Sequence, residues 1–234
     1  MKQNRELIQV WSSIKLNEEL IWLQEQEVFP TLLRIAKSCD RILEVGVGKG
    51  RMVRILQKRG VMADFCSLDI AKNVKYAPGN RIIGDARALP FKDNSFCLVY
   101  SLGVIEHFPE IETAVKEHAR VTRRGGYVLV TTPHISLLGL YKKICFFAGN
   151  LIKHKRRSFE VVVGKHLTLQ QVKNYFMKAH LRILNANVVP PVTPFNIIVK
   201  HSVMERPSIA ERLIQRILPP NRYGGFLYVL GQKQ

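Results

Sequence analysis

Ile42-Leu43-Glu44-Val45-Gly46-Val47-Gly48-Lys49-Gly50 is the stretch whose reading decides the fold. An apolar run carrying one acid gives way to glycines at alternate positions, and a helix-patterned segment, 51–59, follows at once. That order reads as a buried parallel strand, a tight turn and a helix start, which together cradle a nucleotide-type ligand. Gly46 and Gly48 let the backbone approach a ligand with no Cβ in the way, and Gly50 lets helix and strand pack closely.

Outward from this turn, strand and helix patterns alternate. Residues 41–45, 63–68, 81–83, 95–101 and 127–131 read as strands, 52–58 lies in a helix, and 110–122 is a helix with Ile111, Val115 and Ala119 on one face. Arg124-Gly125-Gly126 reads as the terminator of that helix. Strands separated by helices argue for a mostly parallel sheet covered on both faces. Upstream, 1–38 has helical spacing interrupted by Pro30. Downstream, 169–179 reads as a helix and 181–189 as a strand. Pro190, Pro191 and Pro194 force an extended loop, Ser208 caps a helix over 209–218, and 226–230 is a final strand.

The chain has 234 residues, 47% of them hydrophobic, enough for one domain with a real core. The expected partition is N-terminal helices over 1–38, a cofactor-binding core over 39–134, a basic and apolar lid insertion over 135–164, and the rest of the sheet over 165–234. Net charge is +18, unevenly spread: residues 1–140 carry a surplus of +5 and residues 141–234 one of +13. A basic field of that kind suits RNA, an anionic bilayer or a phosphorylated substrate, and a solvated lysine-rich surface is the bland alternative. Cys39, Cys66, Cys97 and Cys145 are scattered without a C-x-x-C pair. They read as reduced, mostly buried thiols in a cytosolic protein, with neither a metal site nor a disulfide framework. The N-terminus lacks the apolar core of a secretory signal, and no segment reaches the ~18 uncharged apolar residues of a spanning helix.

In open parallel sheets ligands sit outside the carboxyl ends of the strands. Glu44 stands inside the first strand, Asp69 ends the second, Asp85 follows the third and Ser101 ends the fourth. An acid in the position of Asp69 accepts from both ribose hydroxyls, and Asp85 suits an exocyclic amine because a carboxylate only accepts. Glu44 near the turn favours a cationic ligand group. His107 and His134 stand on the ligand side as a base or a substrate contact, with packing as the competing role. His118 and His166 read as solvated, and Lys49 as pointing to solvent.

This ordered set resembles the class I methyltransferases that use S-adenosylmethionine. Glu44 to Gly50 is similar to the family's E-x-G-x-G-x-G turn, and Asp69 to its ribose-binding acid. Gly84-Asp85-Ala86, with Leu89-Pro90-Phe91 behind, is similar to the adenine-contact segment. Residues 95–101, the pair Glu106-His107, and 120–127 are similar to the fourth strand, the acid–histidine pair and the last helix-to-strand corner. The resemblance implies a Rossmann-like, mostly parallel seven-stranded α/β sheet with helices on both faces and an antiparallel C-terminal strand. It also implies S-adenosyl-L-methionine as cofactor, held by Glu44, Gly46, Gly48, Gly50, Asp69, Ile70, Asp85, Ala86 and Ser101.

Family members methylate RNA, proteins, lipids, quinones and small metabolites on one core, so the fold does not choose an acceptor. No Asn-Pro-Pro-Tyr-type tetrapeptide follows the fourth strand, where Ser101-Leu102-Gly103-Val104 stands instead, and the pattern looks more like the small-molecule and lipid branch. Residues 135–157 would form an apolar stripe flanked by lysines if helical, followed by Lys153-His154-Lys155-Arg156-Arg157. That composition suits either a lid packed on the core or contact with an anionic membrane surface. The leading expectation is an amphiphilic, lipid-linked or small-molecule acceptor, handled in the cytoplasm at the inner membrane face. An RNA-binding methyltransferase using the basic C-terminal region is the alternative. A dehydrogenase using NAD(P) ranks below both, since its fingerprint is G-x-G-x-x-G.

Overall fold

The computed structural model describes residue 8 and residues 28–135, 164–189 and 224–234. In chain order the described elements begin with α1 (Phe29–Lys37), β1 (Arg41–Val45), α2 (Arg51–Lys58), β2 (Asp64–Asp69) and a 3-10 turn at Lys72–Tyr76. Then come β3 (Asn80–Ile83), β4 (Phe96–Leu102), a second 3-10 turn at Ile105–His107, α3 (Ile111–Val121) and β5 (Thr122–Pro133). The last are α4 (Leu169–Lys178), β6 (Leu181–Val189) and β7 (Phe226–Lys233). Apart from residue 8, the readings of 1–27, of the lid stripe beyond 135, of the proline loop and of the helix over 209–218 lie outside the described residues.

Seven strands form one sheet in the order β3-β2-β1-β4-β5-β7-β6. β1 to β5 pair in parallel, and β7 runs antiparallel to both β5 and β6. This is the Rossmann-like arrangement the resemblance implies. The turn after β1 therefore lies at the centre of the sheet, where the strand order reverses between β2-β1 and β1-β4.

β1 is apolar almost throughout because both its faces are covered. Ile42 packs with α1 and α2 residues such as Leu32, Ile35, Met52 and Leu56. Leu43 and Val45 pack on the other face with α3 and α4 residues such as Val115, Ala119, Val172 and Phe176. α2 buries Met52, Val53, Ile55 and Leu56 and leaves Lys58 exposed on the opposite face. α4 starts where a capping box fixes it: the Thr168 hydroxyl accepts from the Gln171 amide at 3.1 Å, and the Gln171 side chain accepts from the Thr168 amide at 2.8 Å.

Two local readings need correction. α3 ends at Val121 and β5 begins at Thr122, so Gly125-Gly126 interrupts a strand and does not end a helix. The pairing of β4 with β5 shifts between Phe96 and Leu98, and Gly125 takes a positive φ of 74° to accommodate the bulge. The second correction concerns the thiols. Cys39 and Cys97 form a disulfide with Cα atoms 5.5 Å apart. They are 58 residues apart in sequence, and only the pairing of β1 with β4 brings them together. The reading of four reduced thiols, and with it the cysteine argument for a cytosolic setting, does not stand.

A covalent link closing a loop of this length restricts the unfolded chain, worth typically about 2–4 kcal/mol. The double substitution Cys39→Ala/Cys97→Ala is therefore expected to lower the urea-unfolding free energy by about that amount. A variant as stable as its parent contradicts a structural role for the bond.

Candidate functional site

A cleft opens at the carboxyl ends of β1, β2 and β4. Its floor is Glu44 to Gly48, with Lys49 and Arg51 at the rim; one side is Leu68 to Ala71 with Asn73, Gly84 and Ala86, and the far wall is Leu102, Gly103, Val104, His107 and Phe108. The glycine turn takes its shape from β2. The Gly46 and Val47 amides both donate to the Leu68 carbonyl, at 2.8 and 3.1 Å. The Gly48 amide donates to Asp69 Oδ2 at 2.7 Å, and the Gly50 amide donates to the Val47 carbonyl at 2.9 Å. These donors are spent inside the protein. At these four positions the turn thus offers a ligand bare backbone and not free N–H groups. Gly46 has a φ of 75°, and a Cβ there would strike the Val104 side chain across the cleft.

Asp69 is the hub of the site. Its Oδ1 accepts from the Ala71 amide at 2.7 Å, its Oδ2 from Gly48, and its backbone carbonyl from the Gly84 amide at 3.0 Å. The carboxyl is buried, which pushes its pKa up from 3.8, while the Ala71, Gly48 and Ile70 amides pull it down. Ile70 lines the cleft beside it. Glu44 also lines the cleft, and its Oε2 accepts from the Tyr100 hydroxyl at 2.8 Å. Tyr100 was not identified from sequence. Its signal is register, because Glu44 pairs with Tyr100 across β1 and β4.

The structure sorts the remaining expected residues. Gly84 and Ala86 line the cleft, but Asp85 between them does not. Its Oδ1 accepts from the Arg87 amide at 2.9 Å and from Arg87 Nε at 3.0 Å, and its Oδ2 accepts from Arg87 Nη2 at 2.7 Å. Arg87 also reaches Glu110 at 2.7 Å and lies 5.0 Å from the centre of the Phe108 ring. Asp85 thus builds the loop through Arg87, and the cleft is lined on this side by Gly84 and Ala86 and not by the carboxyl expected to meet an exocyclic amine. Gly50 does not reach the cleft either; a Cβ there would strike Pro78 and Ala77, so its role is close packing. Ser101 is fully buried behind the wall.

Of the two candidate histidines, His107 lines the cleft. His134 lies outside it, buried, with Nδ1 at 3.1 Å from the Leu167 carbonyl, and so takes the packing role. His118, read as solvated, is fully buried in α3 with Nδ1 at 2.7 Å from the Ala114 carbonyl; His166 is half-buried. Lys49 does not simply face solvent: it lines the cleft rim, with its ammonium 5.8 Å from the centre of the Tyr76 ring.

A Rossmann-like sheet with a glycine turn after β1 and an acid after β2 defines the class of nucleotide-cofactor α/β proteins. Within that class, residues 43–130 match the methyltransferase domain family. That match covers the part of the chain that holds the glycine turn, Asp69 and the β4 wall of the cleft. The chain is 27% identical over 144 residues to a fatty-acid O-methyltransferase of Mycolicibacterium smegmatis, covering 57% of this chain and 53% of that protein. It is 29% identical over 148 residues to the ubiquinone/menaquinone biosynthesis C-methyltransferase UbiE of Dinoroseobacter shibae, covering 54% of this chain and 59% of that one. The chain thus spans only 53 to 59% of the length of these relatives. The fold is shared with geranyl diphosphate C-methyltransferase of Streptomyces coelicolor, solved with S-adenosyl-L-homocysteine, at a TM-score of 0.68, 9% identity, and coverage of 100% of this chain and 99% of that one.

Behind the wall lies Glu106, which sequence reasoning placed only as part of the acid–histidine pair. It is buried under Gly164, and its Oε2 has no hydrogen-bond partner among the described residues. Burial pushes its pKa from 4.5 to about 8. Burial pushes that of His118 the other way, from 6.5 to about 4. Between pH 4.5 and 8 native Glu106 keeps a proton that the unfolded chain releases, so its contribution to stability is complete at low pH and is lost as pH rises. His118 acts oppositely between pH 4 and 6.5, where the unfolded chain takes up a proton that the native state does not. Above pH 6.5 only the Glu106 contribution of this pair still changes with pH. Unfolding free energy is expected to fall by up to about 2 kcal/mol between pH 6.5 and 8, and Glu106→Gln is expected to flatten that slope. Denaturant titrations across this window that show parallel slopes for both proteins contradict it.

Proposed function

We propose that this chain is an S-adenosylmethionine-dependent methyltransferase whose acceptor is a small or amphiphilic, lipid-linked molecule. The carrying observation is the pair of buried acids in the cleft, whose rim Lys49 and Arg51 also line. The cleft presents Glu44 and Asp69 beside glycine backbone whose Gly46, Val47 and Gly48 donors are already satisfied within the protein. Such a surface suits a cationic ligand with an amine and hydroxyls, and it suits poorly a pyrophosphate, which needs free amides. Bare backbone at Gly46 provides the room that a Cβ would fill.

In this reading Asp69 accepts from the ribose hydroxyls, and Glu44, held by Tyr100, faces the amine-bearing cationic end. Gly84 and Ala86 flank the base. When bound, the cofactor supplies a methyl group on a sulfonium, already activated for displacement. The chain's own residues then have to hold, orient and desolvate the reactants. His107 is positioned to take a proton where the acceptor must lose one. Leu102, Val104 and Phe108 make the opposite wall largely apolar, in keeping with a hydrophobic or amphiphilic acceptor. The fatty-acid and quinone-pathway names of the two relatives support the same class.

Calorimetry with S-adenosylhomocysteine is expected to show binding that Asp69→Ala weakens by roughly tenfold to a hundredfold, the loss of charge-assisted hydrogen bonds. Binding of NADH in its place contradicts the cofactor. Incubation with methyl-labelled donor and fractionated cell extract is expected to place label in the lipid or small-molecule fraction. Label confined to RNA or protein contradicts the acceptor.

A further inference from the structure

The +5 surplus of residues 1–140 is not spread evenly. Residues 49–81 alone carry eight Lys and Arg against two Asp, a surplus of six. Of those acids, Asp69 is buried in the cleft and Asp64 pairs with Arg41 at 3.2 Å. The structure gathers many of these cations at the β3 edge of the sheet. Arg54 donates from Nη1 to the Lys49 carbonyl at 2.6 Å and from Nη2 to the Tyr76 carbonyl. Arg81 donates to the Lys75 carbonyl at 2.9 Å. The Lys75 and Lys49 ammoniums lie 4.8 and 5.8 Å from the centre of the Tyr76 ring. Within this cationic field two large side chains are exposed, Tyr76 at 53% and Ile83 at 62%. Lys49 and Arg51 also line the rim of the cleft, so the charged face and the opening are continuous.

We propose that this face, formed by Lys49, Lys72, Lys75, Tyr76, Arg81 and Ile83, docks the protein on an anionic lipid surface. Cations at headgroup level attract such a surface, each Lys or Arg being worth about a fivefold gain in partitioning. A tyrosine with an apolar ring and a polar tip suits the interface between headgroup and chain, and Ile83 adds apolar contact. A single-stranded nucleic acid fits less well. It needs an open aromatic face for base stacking, and the Tyr76 ring already carries lysine ammoniums. Docking here sets the cleft rim at the bilayer, where a lipid-linked acceptor resides. In that respect the inference rests on the proposed function, although the docking is measured without any methyl transfer.

The test is partitioning of the full chain onto vesicles of phosphatidylcholine with and without phosphatidylglycerol. Three proteins are compared: the parent, Lys72→Glu/Lys75→Glu on this face, and Lys92→Glu/Arg124→Glu away from it, the two variants having the same net charge. The parent is expected to bind only the anionic vesicles. The Lys72/Lys75 variant is expected to bind at least tenfold more weakly, and the Lys92/Arg124 variant within threefold of the parent. Affinity for S-adenosylhomocysteine is expected to be unchanged in both, since none of the four residues lines the cleft. Equal losses in both variants overturn the proposal, because net charge alone then accounts for binding. Absence of vesicle binding at low salt overturns it as well. So does tighter binding of an RNA oligonucleotide that the Lys72/Lys75 variant loses. In each of these cases unchanged cofactor affinity leaves the methyltransferase reading intact.

Discussion

One carboxylate holds the site together. Asp69 accepts from the amides of Gly48 and Ala71 with its side chain and from that of Gly84 with its carbonyl. It therefore joins the turn after β1, its own strand end and the segment after β3. Leu68, its neighbour, accepts from Gly46 and Val47. Five backbone donors from three segments thus converge on two consecutive residues at the end of β2. The parallel pairing of β2 with β1 and β3 brings these segments within reach. Without that convergence, the glycine turn would have satisfied amides only through solvent, and the cleft floor would lack a fixed shape.

The same convergence decides what the cleft can receive. A helix N-terminus with free amides attracts anions. Here the Gly46, Val47, Gly48 and Gly50 amides are consumed, and the buried acids Glu44 and Asp69 line the cleft. Burial without a neutralising cation would be costly for either acid, and backbone or tyrosine donors offset part of that cost. A cationic ligand offsets more. Among the described residues, Lys49 and Arg51 stand at the cleft rim and Lys72, Lys75 and Arg81 at the β3 edge, outside the pair of acids in the cleft.

The fold was legible wherever its signal is local. The apolar run of β1, Gly46 and Gly48, and the acids Glu44 and Asp69 are read from local pattern, and these stand at the cleft where the sequence places them. What escaped depends on pairing between distant segments. Cys39 and Cys97 meet only through the β1–β4 pairing, and Tyr100 meets Glu44 by the register of the same two strands. Asp85 was assigned to a ligand because its strand-end position is right, but Arg87, two residues on, captures both of its oxygens. That competitor was visible in the sequence. His118 also had a legible signal, lying with Ile111, Ala114 and Val115 on the buried face of α3. Gly125-Gly126 was read as a helix stop, although glycine equally permits a bulge.

In the proposed complex the carboxylates of Glu44 and Asp69 face the adenosyl compound across a glycine turn whose Gly46, Val47 and Gly48 amides are already spent. A crystal structure of the complex with S-adenosylhomocysteine measures this directly. It is predicted to show the ribose hydroxyls on Asp69, the amino group near Glu44, the base between Gly84 and Ala86, and Asp85 still paired with Arg87. A ligand held by the Gly46, Val47 and Gly48 amides, or by Asp85 released from Arg87, contradicts it.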